Sequence, residues 1–176
     1  MKQQIIAIVG PDMCGKTEIA SALCEELDLP YFKASSEHET YLRHPDRFIQ
    51  QLRFADTRML DFLKQTGYSV VFDRAWPCEF AYSSVFKRPT DMNVLTRVDE
   101  GMAALGAKII ITHRSSYKGI VDDIDPTTRE DRLDELDAAY RRFMLQTKCG
   151  TLLLNVDDEC LEREIRHIKQ FLALGE

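Results

Sequence analysis

The feature that most constrains the fold of this chain is a glycine-bounded loop between an apolar run and a helical pattern. Residues 10–17 read Gly-Pro-Asp-Met-Cys-Gly-Lys-Thr and match the pattern G-x-x-x-x-G-K-[ST], known as Walker A. The apolar run at residues 5–9 precedes the loop, and the helical pattern at residues 18–27 follows it. This pattern between a strand and a helix is typical of nucleotide triphosphate sites. The sequence therefore predicts such a site at the end of the first strand.

Each position of the loop has a physical role in binding phosphate. Gly10 and Gly15 let the backbone approach phosphate oxygens closely, and backbone N–H groups of the loop, including that of Cys14, attract them together with the positive helix end. Lys16 is expected to reach the β and γ phosphates, and the Thr17 hydroxyl to ligate Mg²⁺. A plain strand-to-helix turn does not require Gly, Lys and Thr at this spacing. For the Cys14 side chain, a small filler of the loop remains the alternative.

Composition limits the function classes. The 176 residues are most simply one domain, 1–176, and with 44% apolar and 30% charged residues the chain is an ordinary globular protein. The net charge of −6 is the opposite of the positive charge that generic binding to nucleic acid or to an anionic membrane requires. The first strand begins so early that we expect no signal peptide, and no run is long enough to span a bilayer. Five scattered cysteines without C-x-x-C spacing favour a reducing cytoplasm.

Short apolar runs alternate with helical patterns along the chain. The runs predict strands over residues 5–9, 29–34, 68–72, 107–112 and 151–156, and the patterns predict helices over residues 18–27, 45–66, 77–86, 91–105, 129–146 and 160–172. This alternation predicts a three-layer α/β fold, with a five-stranded parallel sheet and helices on both faces. The strand order of phosphate-loop kinases would be second, third, first, fourth, fifth. The polar segment at about residues 113–128 is expected to form a lid.

Two charged residues directly follow the predicted third strand. Asp73 and Arg74 come after Val-Val-Phe, and the expected strand order places them beside the phosphate loop. A carboxylate there can hold Mg²⁺ through water, or can orient or deprotonate an attacking hydroxyl. A guanidinium can clamp a phosphate with two parallel hydrogen bonds. The alternative is that these residues form an ion pair with a neighbouring helix at the strand end. Burying the charges there would cost desolvation free energy.

At this point the chain resembles the thymidylate kinase family of P-loop nucleoside monophosphate kinases. Those enzymes carry G-x-[DE]-x-x-G-K in the loop, and Asp12 occupies the acidic position here. Their third strand ends in a motif like D-R-Y-x-x-S-x-x-A-Y-Q, of which this chain keeps Asp73, Arg74, Ala81 and Tyr82. The resemblance implies that Asp12 touches the sugar 3′-hydroxyl of the acceptor nucleotide. It also implies that Arg74 holds the acceptor phosphate and that Tyr82 lies in the acceptor site.

The family's preceding helix carries F-x-x-x-R, whose ring and guanidinium flank the acceptor base, and Phe54 and Arg58 match that spacing. Both groups can stack on a pyrimidine. Four residues apart, they lie on one helical face. For Phe54 an ordinary core position is the alternative, and for Trp76 a wall of the acceptor pocket and a core position are both open.

The chain also departs from the family motifs. Ala75, Cys78 and Ser83 replace Tyr, Ser and Gln around the acceptor pocket, which leaves a modified or different acceptor nucleotide open. Met13 replaces the loop arginine that some members carry, so lid residues must supply transition-state charge. The candidates are Arg114, Lys118, Arg129 and Arg132, of which Arg114 is preferred because it follows the fourth strand directly. The turn Asn155-Val-Asp157, at the end of the fifth strand, stands where this family packs the donor adenine.

The leading hypothesis is an enzyme that transfers the γ-phosphoryl group of ATP, with Mg²⁺, to a deoxynucleoside 5′-monophosphate, with a dTMP-like pyrimidine favoured. The catalytic candidates are Lys16, Asp73, Arg74 and Arg114. An alternative keeps the fold but phosphorylates a hydroxyl of a nucleoside, a polynucleotide end or a hydroxymethylated base in DNA. Asp73 would then be a general base. The acidic net charge disfavours a nucleic-acid acceptor.

A third hypothesis is a phosphate-loop binding or regulatory module with little turnover. The chain has no guanine-reading N-K-x-D motif, and a lid with an Asp-Arg strand end is poorly explained by such a module. The family resemblance suggests a homodimer.

Overall fold

The computed structural model describes residues 3–33, 45–120 and 130–173, with the side chains of residues 45–54 and 130–131 excepted. The predicted lid, 113–128, is therefore covered only as far as residue 120. The described residues contain five strands, β1 (Ile5–Val9), β2 (Tyr31–Lys33), β3 (Val70–Asp73), β4 (Lys108–His113) and β5 (Gly150–Asn155). They also contain six helices, α1 (Lys16–Leu27), α2 (Pro45–Thr66), α3 (Pro77–Phe86), α4 (Met92–Ala104), α5 (Glu130–Met144) and α6 (Leu161–Ala173).

The strands form one parallel sheet in the order β2-β3-β1-β4-β5, which confirms the predicted order. All five residues of β1 are buried, as expected for the central strand of a sheet covered on both faces. Ile5, Ala7 and Val9 pack with α2, α3, α4 and α5, whereas Ile6 and Ile8 pack with α1 and α6. The three-layer α/β prediction is therefore confirmed, with a core on each side of the sheet.

Local chemistry sets the element ends. Pro77 stands in the first turn of α3, where a missing N–H costs nothing. The Asp91 carboxylate caps α4 by accepting hydrogen bonds from the N–H groups of Asn93 and Val94. The observed ends differ from the predicted ones by one or two residues at most strands and helices. The main correction concerns β3, which includes Asp73. Because the backbone of Asp73 pairs with the neighbouring strands, the point from which its carboxylate extends is fixed.

The register of the sheet aligns the polar residues at its carboxyl edge. Asp73 pairs with Ile8 of β1 and with Lys33 of β2. The N–H of Arg74 donates to the Ile8 carbonyl at 3.0 Å, which extends the ladder by one residue. The ends of β2 and β3 therefore meet beside the loop that follows β1, where ligands bind in open α/β sheets.

None of the helices among the described residues is long and apolar enough to cross a bilayer.

Candidate active site at the phosphate loop

The phosphate loop lies between β1 and α1 and has an unusual backbone. Gly10 has a φ of 147°, and a Cβ at this position would lie 2.3 Å from the Thr112 carbonyl oxygen. Met13 and Gly15 both have a φ of 62°, in the left-handed region, and Gly15 caps α1. A loop of this type turns successive N–H groups to one side, next to the positive end of a helix. The predicted role of the loop as an anion cradle is consistent with this backbone.

The Lys16 ammonium folds back over the loop. Its Nζ donates to the Pro11 carbonyl oxygen at 2.5 Å and lies 3.6 Å from Asp12 Oδ1. Lys16 is only 6% exposed. Burial and the neighbouring charge of Arg74 lower the pKa of Lys16, and Asp12 opposes them. The amine is thus a partly desolvated cation at the centre of the loop, where an anionic ligand would stabilise it.

Asp73 lies against the start of α1. Its Oδ2 accepts hydrogen bonds from the Thr17 hydroxyl and from the Tyr31 hydroxyl, each at 2.7 Å. Lys33 Nζ lies 3.4 Å from the same oxygen and 3.3 Å from Thr17 Oγ1. Burial alone would raise the pKa of Asp73, but the two hydrogen bonds and the Lys33 charge hold it below the ordinary value. Asp73 is therefore a buried carboxylate that stays ionised.

The second oxygen of Asp73 is different. Oδ1 is buried and has no hydrogen-bond partner among the described residues. An unsatisfied buried carboxylate oxygen is costly unless a ligand completes it. Oxygen ligands from a carboxylate and a hydroxyl suit a hard cation, so Asp73 and Thr17 fit the predicted Mg²⁺ site.

Arg74 makes the opposite side of the site. Its Nη2 donates to Asp12 Oδ1 at 2.5 Å, and its Nη1 lies 3.4 Å from the Tyr82 hydroxyl, which donates to Asp12 Oδ2 at 2.6 Å. Lys16 and Arg74 lower the pKa of Asp12 against the effect of burial. Arg74 has a φ of 68°, a conformation that costs free energy for a non-glycine residue and that recurs at active sites. The structure thus brings three predicted acceptor residues, Asp12, Arg74 and Tyr82, into one cluster.

The other predicted acceptor residues lie elsewhere or outside the described side chains. Phe54 and Arg58 are both on α2; the side chain of Phe54 is outside the described part, and that of Arg58 is exposed. Trp76 is 3% exposed, packs in the core, and donates from Nε1 to Asp99 Oδ1 at 2.9 Å. Of the two open readings of Trp76, the structure supports the core position.

Arg114 directly follows β4, and Asn155 is the last residue of β5. Arg114 Nε donates to the Met13 carbonyl at 3.0 Å, and its Nη2 pairs with Glu159 at 2.7 Å. Asn155 Nδ2 donates to Ser115 Oγ and to Asp157 Oδ2. Arg114 is therefore tied to the phosphate loop itself.

The remaining lid candidates are Lys118, Arg129 and Arg132. Arg132 pairs with Glu135 on its own helix at 2.6 Å, as expected for i, i+3 neighbours. Lys118 is exposed, and Arg129 lies outside the described residues.

Cys14 contributes no exposed thiol to the site. Its side chain is fully buried, with Sγ 3.5 Å from the Tyr117 hydroxyl. Burial raises the pKa of this thiol despite the nearby cations. Its backbone N–H remains the group that would contact phosphate, and the side chain fills the loop.

Two site residues, Tyr31 and Lys33, were missed from the sequence. They belong to a strand of only three residues, all exposed, with no polar motif that marks a site. The predicted strand order contained the signal, since β2 beside β3 brings Lys33 level with Asp73.

No protein-family model and no curated protein sequence matches the chain. Solved structures do. The YorR protein of Bacillus subtilis, in complex with phosphorylated GDP, is 20% identical with a TM-score of 0.69, over 97% of this chain and 96% of that one. Deoxyadenosine kinase from M. mycoides, with dCMP and dCDP bound, is 20% identical with a TM-score of 0.61, over 99% and 100%. Thymidylate kinase from Ehrlichia chaffeensis is 12% identical with a TM-score of 0.63, over 97% and 99%.

These similarities extend over nearly the full length of the chains. At such low identity they establish architecture, and they agree with the strand order and the phosphate loop described above. The chain has the P-loop nucleoside monophosphate kinase-like fold.

Proposed function

We propose that the protein transfers the γ-phosphoryl group of ATP to a deoxynucleoside 5′-monophosphate, a dTMP-like pyrimidine by family resemblance. The observation that carries the proposal is the end of β3. Two consecutive residues there reach both sides of the phosphate loop, since Asp73 contacts Thr17 and Arg74 contacts Asp12. A site for phosphoryl transfer must hold a donor and an acceptor phosphate at one place, and this strand end supports both.

The donor side consists of the loop and the residues tied to it. The backbone N–H groups of residues 10–15, including that of Cys14, and the positive end of α1 would bind the phosphates, and Lys16 would exchange the Pro11 carbonyl for phosphate oxygens. Arg114, anchored on the Met13 carbonyl, would add positive charge above the loop. Asn155 is our candidate for a contact with the edge of the donor base.

Asp73 and Thr17 would hold Mg²⁺. The support is chemical: Asp73 Oδ1 is buried without a partner, and the lowered pKa of Asp73 keeps the carboxylate charged. When bound, the ion neutralises charge on the transferred group. Tyr31 and Lys33 position the carboxylate from the β2 side.

The acceptor side consists of the cluster around Arg74. Arg74 would bind the acceptor phosphate, and Asp12 would accept a hydrogen bond from the sugar hydroxyl, with Tyr82 orienting both. Phe54 and Arg58 on α2 would flank the base. A phosphate oxygen is already anionic, so this reaction requires charge stabilisation and alignment rather than a strong base.

A nucleoside hydroxyl acceptor is the second candidate. It is favoured by the similarity to deoxyadenosine kinase, whose described complex holds dCMP as a product. The environment of Asp73 opposes it, because a carboxylate with a lowered pKa and an engaged Oδ2 is a weak general base.

Two further proposals concern the cellular location and the oligomeric state of the protein. All five cysteines are free thiols, which fits a cytoplasmic location. A homodimer is suggested by the family resemblance alone.

The test is ADP release from Mg·ATP with a panel of acceptors. The panel contains dTMP, dUMP, dCMP, dAMP and dGMP, the matching nucleosides, and plain and hydroxymethylated DNA, with Lys16→Ala as the blank. Turnover with a monophosphate supports the proposal. Turnover only with nucleosides or DNA would replace it with the hydroxyl acceptor and make Asp73 the base.

A further inference from the structure

Lys33, the last residue of β2, is a positively charged side chain beside the residues assigned to Mg²⁺. Its Nζ lies 3.4 Å from Asp73 Oδ2 and 3.3 Å from Thr17 Oγ1. Asp73 and Thr17 are the two residues whose oxygens suit a hard divalent cation. The ammonium of Lys33 therefore contacts the same pair of residues that the metal ion would contact.

The pairing of two strands places the ammonium there. Lys33 is in register with Asp73 on the neighbouring strand, so both side chains leave the same face of the sheet. Tyr31 lies two residues earlier on that face, and its hydroxyl donates to Asp73 Oδ2 at 2.7 Å. The Thr17 hydroxyl, in the first turn of α1, donates to the same oxygen at 2.7 Å. Lys33 thus belongs to an ordered set of donors around one carboxylate.

The two partners of the ion pair differ in exposure. The side chain of Asp73 is fully buried, whereas that of Lys33 is 50% exposed. A lysine ammonium sits on a flexible four-carbon stem and is strongly hydrated in water. The ammonium can therefore turn from the carboxylate to solvent without any change in the sheet, and Asp73 cannot follow it.

The ammonium and a divalent cation cannot both stay at these oxygens. Mg²⁺ binds oxygen ligands at about 2.1 Å, so an ion on Thr17 Oγ1 would lie within about 5 Å of Lys33 Nζ in its present position. Two positive charges at this distance repel each other strongly in a partly buried site. Binding of the ion therefore requires Lys33 to move toward solvent.

We propose that Lys33 is a tethered cation that competes with Mg²⁺ for Asp73 and Thr17, and that it sets how strongly nucleotide binding depends on the metal. This inference rests on the donor half of the proposed function. In metal-free solution the ammonium supplies positive charge beside the phosphates that the loop binds. In the presence of Mg²⁺ the same charge opposes the ion. Lys33 therefore narrows the difference in affinity between ADP and Mg·ADP.

The experiment measures the Kd of ADP by calorimetry in EDTA and in excess Mg²⁺, and it compares the ratio of the two values between variants. Lys33→Met removes the charge and keeps the stem, and Lys33→Arg keeps the charge. The matched control is Lys169→Met, because Lys169 is 47% exposed and its Nζ lies 2.7 Å from Glu26 Oε2 on the α1–α6 face. Thermal unfolding checks that each variant is folded, and Lys33→Gln takes the place of Lys33→Met if that variant does not fold.

We expect the ratio of the Kd in EDTA to the Kd in Mg²⁺ to be about three- to tenfold larger in Lys33→Met than in wild type, the effect of one half-exposed ion pair. Lys33→Arg and Lys169→Met should keep the wild-type ratio. A residue that only positions Asp73 would act in the opposite direction, because its loss would weaken the metal site and make the ratio smaller.

An unchanged or smaller ratio in Lys33→Met would therefore overturn the inference and leave the proposed kinase standing. No acceptor is present in this experiment, so its result does not depend on phosphoryl transfer. The expected ratio in a protein that turns over no acceptor would support the inference and overturn the transfer alone. Failure of the wild-type protein to bind ADP in either solution would overturn both.

Discussion

Two carboxylates of the molecule, Asp73 of β3 and Asp56 of α2, have pKa values that shift in opposite directions. Asp73 is fully buried, yet hydrogen bonds from Thr17 and Tyr31 hold its pKa below the ordinary value. Asp56 is half-buried, and burial together with the negative charge of Glu79 raises its pKa to about 7. Burial raises the pKa of a carboxyl group in both places, and the number of donors aimed at it decides the outcome.

The difference follows from the groups that surround each carboxylate. A carboxylate that must remain charged to hold a cation is surrounded by hydroxyl and ammonium donors. The pKa of Asp56, in contrast, is raised by burial and by the negative charge of Glu79. Asp73 Oδ2 is therefore satisfied within the protein, whereas Asp73 Oδ1 and Glu79 Oε1 are buried without a hydrogen-bond partner among the described residues.

The largest expected effect is the loss of Lys16. Lys16→Met keeps the buried stem of the side chain but removes the charge at the centre of the loop. We expect kcat/KM for ATP to fall by about 10³-fold, in the range of other removals of a transition-state donor. Turnover in the coupled assay measures this. An activity within tenfold of wild type would show that the loop is not the donor site.

The next effect is expected at Asp73. Asp73→Asn keeps the size but removes the charge, and kcat should fall by about 10²-fold while the acceptor KM changes little. Tyr31→Phe, which removes one donor to Oδ2, should lower kcat only a few-fold. Steady-state kinetics over a range of Mg²⁺ concentrations tests both. If Asp73→Asn raised the acceptor KM instead, the assignment of Asp73 to the donor side would be wrong.

Arg74→Ala should act on the other substrate. Because Arg74 is assigned to the acceptor phosphate, its loss should raise the acceptor KM by about 10- to 100-fold, with the ATP KM changed by less than about threefold. Arg74→Lys retains the charge without the bidentate geometry, so its acceptor KM should lie between those of wild type and Arg74→Ala. An unchanged acceptor KM in Arg74→Ala would contradict this division of the site.

The smallest expected effect is on stability and concerns Asp56. Its folded pKa of about 7 lies above the ordinary value, so folding takes up a proton between pH 4 and 7, and the stabilisation is lost as the pH rises through that window. Asp56→Asn removes the charge that is unfavourable above pH 7. At pH 8 its Tm should exceed that of wild type by a few degrees, equivalent to about 1 kcal/mol, and at pH 4 the two should agree. A variant less stable than wild type at pH 8 would contradict the raised pKa.

Much of the fold followed from the sequence because the strong signals were local. The glycine-bounded loop and the apolar strands indicated a phosphate-loop kinase, whose strand order predicted that Asp73 would lie beside the loop. The structure confirms both the strand order and this position. The roles assigned to Arg114, Asn155, Phe54 and Arg58 remain predictions.

What sequence reasoning missed depends on tertiary contacts. Tyr31 reaches Asp73 because β2 pairs with β3, and the buried Glu79 carboxylate pairs with Arg88, which lies beyond the end of α3. Trp76 could be read as a pocket wall or a core residue, and the buried Asp99 acceptor, 23 residues away, favours the core. A single residue type in a short helix does not reveal such partners.

The most direct test of the account is the fate of the γ-phosphoryl group. Wild-type protein would be incubated with γ-labelled ATP, Mg²⁺ and each deoxynucleoside monophosphate, and the labelled products separated. The account predicts label in a deoxynucleoside diphosphate, formed with at least one monophosphate and absent with Lys16→Met. Label that appears only as inorganic phosphate, at a rate independent of the acceptor, would contradict it and leave a phosphate-loop module that hydrolyses ATP.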